Sequence, residues 1–297
     1  MAVIDDIKSY FKSGTSLSKL ILINIVVFVL IKFFNAVCFL FGLNSDSFEG
    51  YILNFLALPA DLNHLLFRPW TVFTYMFLHL NFLHIAFNLL WLYWFGKIFI
   101  EHLDQKKLLS VYLLGGLTGA AFFIFAFNIF PVFSSVIGQA TALGASAAIL
   151  AIVVAISFYI PDYSINILFL GRVKLIYIAI FSVIIDLISI GTENPGGHIA
   201  HLGGALYGYM YIYNYKRGKN IAFFFDHLMD SFFSLFKRRK AKMNISYKRP
   251  VNDKEYRKRQ AEDQAEIDRI LDKISKGGYE SLTSEEKATL FKSSTKK

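Results

Sequence analysis

The chain has 297 residues, of which 55% are hydrophobic, 31 are Phe, 16 are Tyr and only 18% are charged. A soluble domain of this length does not bury so much aromatic and aliphatic surface, so the composition excludes an ordinary soluble enzyme. The formal net charge is +9, and the single cysteine, Cys38, excludes an intrachain disulfide and a CxxC or zinc-ribbon site. Apolar runs of nearly twenty residues recur along the chain, which predicts a polytopic membrane protein.

Six apolar segments meet the length that a transmembrane helix requires. They cover residues 20–42, 83–100, 108–130, 144–160, 174–191 and 198–215. The predicted fold class is therefore all-α, with a six-helix membrane bundle at 20–215 that follows a cytoplasmic segment at 1–19. The first run lacks a small-residue cleavage site, so we expect it to be retained. Lys32 lies inside this run. Insertion of a lysine at mid-bilayer costs a free energy of about 2.5 to 3.5 kcal/mol, so we expect the Lys32 side chain to reach toward the surface.

The connectors between these segments predict the orientation of the bundle. Basic residues lie in alternate connectors, namely Lys8, Lys12 and Lys19, then Lys97, Lys106 and Lys107, then Arg172 and Lys174, and finally Lys216, Arg217 and Lys219. The other connectors, 43–82, 131–143 and 192–197, contain Arg68 alone. By the positive-inside rule both termini of this predicted integral membrane protein are cytoplasmic, and the three connectors with few basic residues face outward.

The C-terminal part carries the charge excess. Residues 1–215 contain 10 Lys/Arg and 10 Asp/Glu, whereas residues 216–297 contain 21 and 12. Such a tail can indicate nucleic-acid binding, but beside a membrane domain it favours anionic lipids of the inner leaflet, and we expect no nucleic-acid partner. In the segment 216–250, a Phe-rich stretch at 221–236 precedes the basic cluster 237–242, which predicts an interfacial helix.

The last segment, 251–297, is predicted to be a small cytoplasmic helical tail. Its apolar residues recur at helical spacing, at Ile267, Ile270, Leu271 and Ile274. Gly277 and Gly278 should end that helix, and Thr283 with Glu286 forms a capping box for another.

Polar residues occur at the same end of three apolar segments. His84 and Asn88 lie in the first turns of the second segment, Ser146 begins the fourth, and His201 lies in the first turn of the sixth. These segments run in the same direction, so the four residues reach a common depth just below the outer surface. A serine nucleophile needs a base such as histidine, together with donors for the developing oxyanion.

Small residues should allow the fourth and sixth segments to approach closely. Gly204 and Gly208 are four apart, as are Gly144 and Ala148, and Ala147 is followed at the same spacing by Ala151 and Ala155. Such faces bring membrane helices together, which would carry the Ser146 hydroxyl to the His201 ring. Packing alone is the alternative explanation of Ser146, and it is the one we adopt for Gly115 and Gly119.

Three motifs together resemble the rhomboid family of intramembrane serine proteases. They are "HLNFLHIAFN" with His79, His84 and Asn88, "GASA" around Ser146, and "AHLGGALYG" with His201, Gly204 and Gly208. The resemblance spans about residues 18 to 215. It implies that Ser146 is the nucleophile and His201 the general base of a dyad, and that His84, Asn88 and the Ser146 N–H form the oxyanion hole. It also implies that His79 braces the first external loop.

The resemblance further implies the substrate class, which is transmembrane proteins cut in or near the outer end of a helix, without a cofactor or metal. The family often has Gly directly after the nucleophile and an aromatic residue four positions after it, whereas this chain has Ala147 and Leu150. It often has arginine after the tryptophan of the external loop, where Thr71 follows Trp70 here. Without the aromatic residue, the His201 ring must be held by another group.

Alternative interpretations remain for several residues. His79, His84, His198 and His201 could form an outward-facing metal site, although there is no HExxH motif. Asp186 is a candidate third member of the catalytic group, but burial or pairing elsewhere is the expected explanation. The chain could also be a non-catalytic rhomboid-like protein that binds membrane proteins without cutting them. A transporter is disfavoured because no inverted repeat is visible.

Overall fold

The computed structural model describes residues 14–42, 45–167, 171–236 and 253–294. The chain divides into two compact units, residues 1–237 and 238–297. The predictions that rest on Lys8, Lys12 and the basic cluster 237–242 lie outside the described residues.

Helices make up most of the first unit, as predicted. In chain order they are α1 (Ser16–Leu40), α2 (Ser45–Leu56), α3 (Leu62–Phe67), α4 (Thr71–Thr74), α5 (Phe82–His102), α6 (Gln105–Ile129), α7 (Ser146–Tyr159), α8 (Leu175–Ile188), α9 (Pro195–Tyr215) and α10 (Phe223–Phe236). Short 3-10 turns follow at Tyr75–Phe77, Pro131–Phe133 and Ser189–Gly191. The described part of the chain also contains two small antiparallel pairs of strands, which the all-helical prediction missed.

The six predicted segments correspond to α1 and α5 through α9, with bounds that differ by four residues or fewer. In the described part of the chain, three helices, α1, α5 and α6, are long and apolar enough to cross a membrane by length and composition. Helices α7 and α8 are apolar but have only 14 residues each. The chain is thus a helical membrane protein, and the full count of six spans stays a prediction.

Side-chain caps explain where several helices begin. The Asn81 side chain accepts hydrogen bonds from the N–H groups of Leu83 and His84 at the start of α5. The Asp104 side chain accepts from Lys107 N–H at the start of α6. Each cap satisfies backbone donors that have no partner inside the helix.

The core of the bundle surrounds α7. Every residue from Ala147 to Ser157 is buried, because α5, α6, α8 and α9 all pack against this helix. A side chain at Gly204 would overlap the Ala147 carbonyl oxygen, and one at Gly208 would overlap the Ala151 carbonyl oxygen. Side chains at Gly115 and Gly119 of α6 would likewise overlap the methyl groups of Ala151 and Ala147. These glycines let three helix backbones approach closely.

The Gly204→Ala variant is expected to unfold more easily than the wild type, by about 1 to 3 kcal/mol, because the new methyl group meets backbone atoms that cannot rotate away. Reversible unfolding in mixed micelles measures this difference. Gly50→Ala is the matched control, since Gly50 is also helical and a Cβ there would have no atom within 4 Å. The free energy of unfolding of the control should equal that of the wild type or exceed it by up to about 1 kcal/mol. Equal destabilisation of both variants would contradict the packing argument.

The connector between α1 and α5 folds into α2, α3 and α4. Trp70 Nε1 donates to the Phe55 carbonyl at 2.8 Å, and Thr74 Oγ1 donates to the Leu56 carbonyl at 2.8 Å. Lys32 of α1 forms an ion pair with Glu49 of α2, with Nζ 3.8 Å from Oε2. Its charge is therefore offset within the protein, while α1 continues eight residues further, to Leu40.

One pair of strands links two connectors, and the other lies within the connector between α7 and α8. Strand β1 (Leu58–Pro59) pairs with β2 (Thr141–Ala142), so that Leu58 is opposite Ala142. Strand β3 (Ser164–Ile167) pairs with β4 (Gly171–Lys174), so that Ser164 is opposite Lys174. The first pair joins the α1–α5 connector to the segment that leads into α7.

Helix α10 is attached to the beginning of α6 by polar contacts. The buried Asp226 carboxylate accepts hydrogen bonds from Ser110 Oγ and, at 2.9 Å, from Asn220 Nδ2. Lys106 Nζ lies 2.6 Å from Asp230 Oδ2. The two acidic residues of the Phe-rich stretch therefore face protein partners.

The second unit contains α11 (Asp253–Gly277) and α12 (Ser284–Ser294), with a 3-10 turn at Tyr279–Ser281. Gly278 has φ +74°, which suits the glycine expected to end α11. The predicted capping box is confirmed, since Glu286 N–H donates to Thr283 Oγ1 and Thr283 N–H donates to Glu286 Oε2. The Lys273 ammonium lowers the pKa of the Glu286 carboxyl to about 2.

Candidate active site

The structure brings Ser146 and His201 into contact. Ser146 Oγ lies 2.6 Å from His201 Nε2, although the residues are 55 positions apart. Ser146 is the first residue of α7, and His201 lies near the start of α9. The glycine contacts between α7 and α9 explain why the two side chains can approach so closely.

Asp186 of α8 lies on the far side of the His201 ring. Its Oδ1 atom is 2.8 Å from His201 Nδ1 and also 2.8 Å from His198 Nδ1. The Asp186 residue is only 7% exposed. Asp186 is therefore buried, which was one of the expected explanations, but it pairs with His201 as well as with His198. Because a carboxylate accepts hydrogen bonds, the His201 proton lies on Nδ1 and Nε2 is free to accept from the Ser146 hydroxyl.

This arrangement shows how the His201 ring is held without an aromatic residue at position 150. Leu150 is buried in the core, while Asp186 fixes the ring through Nδ1. Sequence reasoning named Asp186 as a candidate partner but did not favour it, because Asp186 belongs to no motif. Its position near the end of the fifth apolar segment was the one available signal.

The loop before Ser146 is fixed by the connector between α1 and α5. Gly144 has φ +117°, and its N–H donates to the Tyr75 carbonyl at 2.9 Å. The Ala145 N–H donates to His79 Nε2 at 3.4 Å. The resemblance implies that His79 braces the first external loop, and in the structure this residue links that loop to the serine.

His79 is fully buried, and its environment disfavours the charged form. Burial, followed by the repulsion from His84, lowers the pKa of His79 from 6.5 to about 4. The ring is therefore neutral at neutral pH. This agrees with its role as acceptor for the Ala145 N–H.

We expect the wild type to lose stability as the pH falls from about 6.5 to 4, because the unfolded chain then binds a proton that folded His79 does not. The loss attributable to His79 has a ceiling of about 3 kcal/mol. Other groups titrate in this range. The informative quantity is therefore the difference between the wild type and His79→Gln in how steeply stability falls with pH. Melting temperatures in detergent at pH 4 to 7 measure it. Parallel pH profiles for the two proteins would rule out this assignment.

His84 and Asn88 lie beside the serine on one face of α5. A Cβ atom at Gly144 would be 2.8 Å from His84 Cε1 and 3.7 Å from Ser146 Oγ, which places the His84 ring next to the loop before Ser146. Asn88 Nδ2 donates to the His84 carbonyl at 2.9 Å and keeps a second hydrogen. The Ser146 N–H, at the first position of α7, has no acceptor within its own helix. These three groups border one space.

That space is a cavity of about 930 Å³ between α5, α7, α8 and α9. Ser146, His201, His84 and Asn88 line its polar part. Most of the remaining wall is apolar and includes Phe87 and Trp91 of α5 and Tyr177 and Phe181 of α8. Phe87 and Phe181 are more than half exposed, so the wall continues onto the lipid-facing surface.

The histidines divide into two groups. The rings of His79 and His84 are 5.0 Å apart between centroids, next to the loop before Ser146. Among the described residues, the group with metal-binding geometry is instead Asp186, His198 and His201. The four-histidine alternative is therefore not the arrangement that the structure contains.

Comparison with known proteins shows which families the chain resembles. Residues 67–218 match the family model described as Rhomboid domain, and residues 252–296 match a family of unknown function, DUF6576. RHOMBOID-like protein 12, mitochondrial, of Arabidopsis thaliana is 29% identical over 197 residues, which are 63% of this chain and 54% of that protein. Rhomboid protease GlpG of Salmonella newport (strain SL254) is 35% identical over 66 residues, which are 22% of this chain and 24% of that protein.

The Rhomboid domain covers slightly more than half of the 297 residues, and the chain therefore belongs to the rhomboid family. The chain spans about half the length of the plant relative and about a quarter of the bacterial one.

Proposed function

We propose that this rhomboid is an intramembrane serine endopeptidase. The observation that carries the proposal is the 2.6 Å contact between Ser146 Oγ and His201 Nε2 at the end of an apolar cavity. A hydroxyl within hydrogen-bond reach of an imidazole is the arrangement that serine nucleophiles require. The similarity to a relative whose name contains the words "Rhomboid protease" supports the same activity.

In the proposed reaction, His201 Nε2 takes the proton of the Ser146 hydroxyl as Oγ attacks the carbonyl carbon of the substrate. The C–N bond then breaks, and the imidazolium returns the proton to the leaving amine. Water, activated by the same nitrogen, hydrolyses the resulting ester and regenerates the serine. Asp186 acts as a positioning residue, since it accepts from Nδ1–H and stabilises the ring when it becomes charged.

The developing oxyanion would be stabilised by donors that border the same space. The Ser146 N–H lies at the positive end of the α7 dipole, and the Asn88 amide has a hydrogen to spare. His84 can add a ring N–H. Donors of this kind commonly contribute a factor of about 10²–10³ each to kcat.

The shape of the cavity supports transmembrane proteins as substrates. Its apolar walls on α5 and α8 reach the exposed surface, so a substrate segment can arrive from the lipid without crossing water. A peptide bond inside a helix is shielded, so the segment must unwind at the cleavage point. We therefore propose substrates with helix-disfavouring residues, such as Gly or Pro, near the end of the segment that meets Ser146.

The charge pattern of the connectors supports an orientation in which the Ser146 end of the bundle faces outward and both termini face the cytoplasm. We propose a bacterial inner membrane as the location. Anionic lipids of its inner leaflet would bind the basic segment that follows α9.

A fluorophosphonate probe tests the activity of Ser146 directly. The purified protein in detergent should become labelled on one site, and peptide mapping should place the label on Ser146. Heat-denatured protein is the control, because it has the same residues without the 2.6 Å contact. Incubation with a labelled transmembrane substrate should give a single new N-terminus. A folded protein that binds substrates but neither labels nor cleaves would favour the non-catalytic alternative.

A further inference from the structure

One carboxylate oxygen in this site receives two histidine rings. Asp186 Oδ1 lies 2.8 Å from Nδ1 of both His198 and His201. Each of the three residues offers one atom that can bind a metal ion, and these three atoms lie within 4.8 Å of one another. His198 and His201 are three apart on α9 and therefore share a face, while α8 supplies the aspartate. The contact with His201 explains catalysis, but the reaction gives no role to His198.

Two histidine nitrogens and a carboxylate oxygen form a common set of zinc ligands. Zinc bonds of about 2.0–2.2 Å place tetrahedral ligand atoms roughly 3.3 Å apart, so the 2.8 Å pairs would need to separate by about half an ångström. The histidine side chains are 22% and 24% exposed, which gives an ion access to the group. Water would fill the fourth position.

We propose that Asp186, His198 and His201 bind Zn²⁺ and that the bound ion inhibits the protease. Coordination through Nδ1 of His201 leaves the ring proton on Nε2. That nitrogen can then no longer accept the Ser146 proton, although the residues stay in contact. The inhibition rests on the proposed proteolytic function, whereas the binding of Zn²⁺ does not.

The test uses the full chain in detergent, purified without a polyhistidine tag. Zinc binding is measured by competition with a chromophoric chelator, and proteolysis is measured at buffered free Zn²⁺ concentrations. The variant is His198→Gln, because a carboxamide can still donate to Asp186 but is a poor zinc ligand. The matched control is His64→Gln, an exposed histidine of α3 outside the cavity. Each protein is compared with its own zinc-free rate.

We expect the wild type and His64→Gln to bind one Zn²⁺ and to be inhibited over the same range of concentration. His198→Gln should require at least about tenfold more Zn²⁺ for both effects, since loss of even an indirect ligand contact costs 10- to 100-fold in affinity. Equal affinity and inhibition in all three proteins, or no binding by the wild type, would overturn the proposal. Zinc binding with the expected His198 dependence, in a protein that never cleaves, would instead refute the proposed proteolytic function and leave the metal site standing.

Discussion

Alanine at either Ser146 or His201 is expected to reduce kcat for cleavage of a transmembrane substrate by roughly 10⁴- to 10⁶-fold, because each residue supplies one half of the proton transfer. The double variant should be no worse than either single variant, since neither residue works without the other. Cleavage of a labelled substrate in detergent measures all three rates.

Two matched controls separate this chemistry from damage to the fold. Ser157→Ala removes another hydroxyl of α7, one that is fully buried and has no hydrogen-bond partner in the described parts of the chain. His64→Ala removes an exposed histidine outside the cavity. Both controls should cleave within about threefold of the wild type, as expected for sites without a role in the reaction. Wild-type rates in Ser146→Ala or His201→Ala would reject the assignment of these residues.

The second large effect is expected for Asp186→Asn, with kcat lowered by about 10²- to 10⁴-fold and KM changed much less. An amide can place an N–H toward His201 Nδ1, which forces the ring proton to Nε2 and removes the acceptor for the serine. Fluorophosphonate labelling should slow to the same extent. Steady-state kinetics at several substrate concentrations separate kcat from KM.

Asp162→Asn serves as the control for this variant, because Asp162 is an exposed aspartate that pairs with Lys174 away from the serine. Asp186→Glu should recover part of the activity, since it restores an acceptor for Nδ1–H. A purely structural role for Asp186 would instead lower the melting temperature of Asp186→Asn. The variant would then show no selective fall in kcat relative to the change in KM. A kcat within threefold of the wild type would show that the contact with His201 is not needed.

The sequence predicted the helices well because length and apolarity determine a membrane helix almost alone. It also predicted that Ser146 meets His201, since the small residues at Gly204 and Gly208 leave α9 few other ways to pack on α7. These predictions used signals that are local in the chain. The brief strands and the three short helices after α1 lack such a signal, because tertiary contacts stabilise them.

Asp186 is the clearest case of what a sequence cannot reveal. An acidic residue in an apolar helix must find a partner, but its rotation about the helix axis decides which one. That rotation depends on how α8 packs against α7 and α9. The attachment of α10 was missed for the same reason, since the partner of Asp226 is Ser110, 116 positions away.

The shortness of α7 and of its exposed neighbour α8 has a consequence for the surrounding lipid. Fourteen residues make a helix about 21 Å long, whereas the hydrocarbon layer of a typical bilayer is about 30 Å thick. Helix α8 has the same length and, unlike α7, exposes much of its surface. If α8 is one of the six predicted spans, we expect acyl chains beside it to compress or tilt to match its length, a form of hydrophobic mismatch. We expect this mismatch to thin the bilayer on the side where a proposed substrate would approach, and to draw a neighbouring transmembrane segment partly out of its own hydrophobic environment.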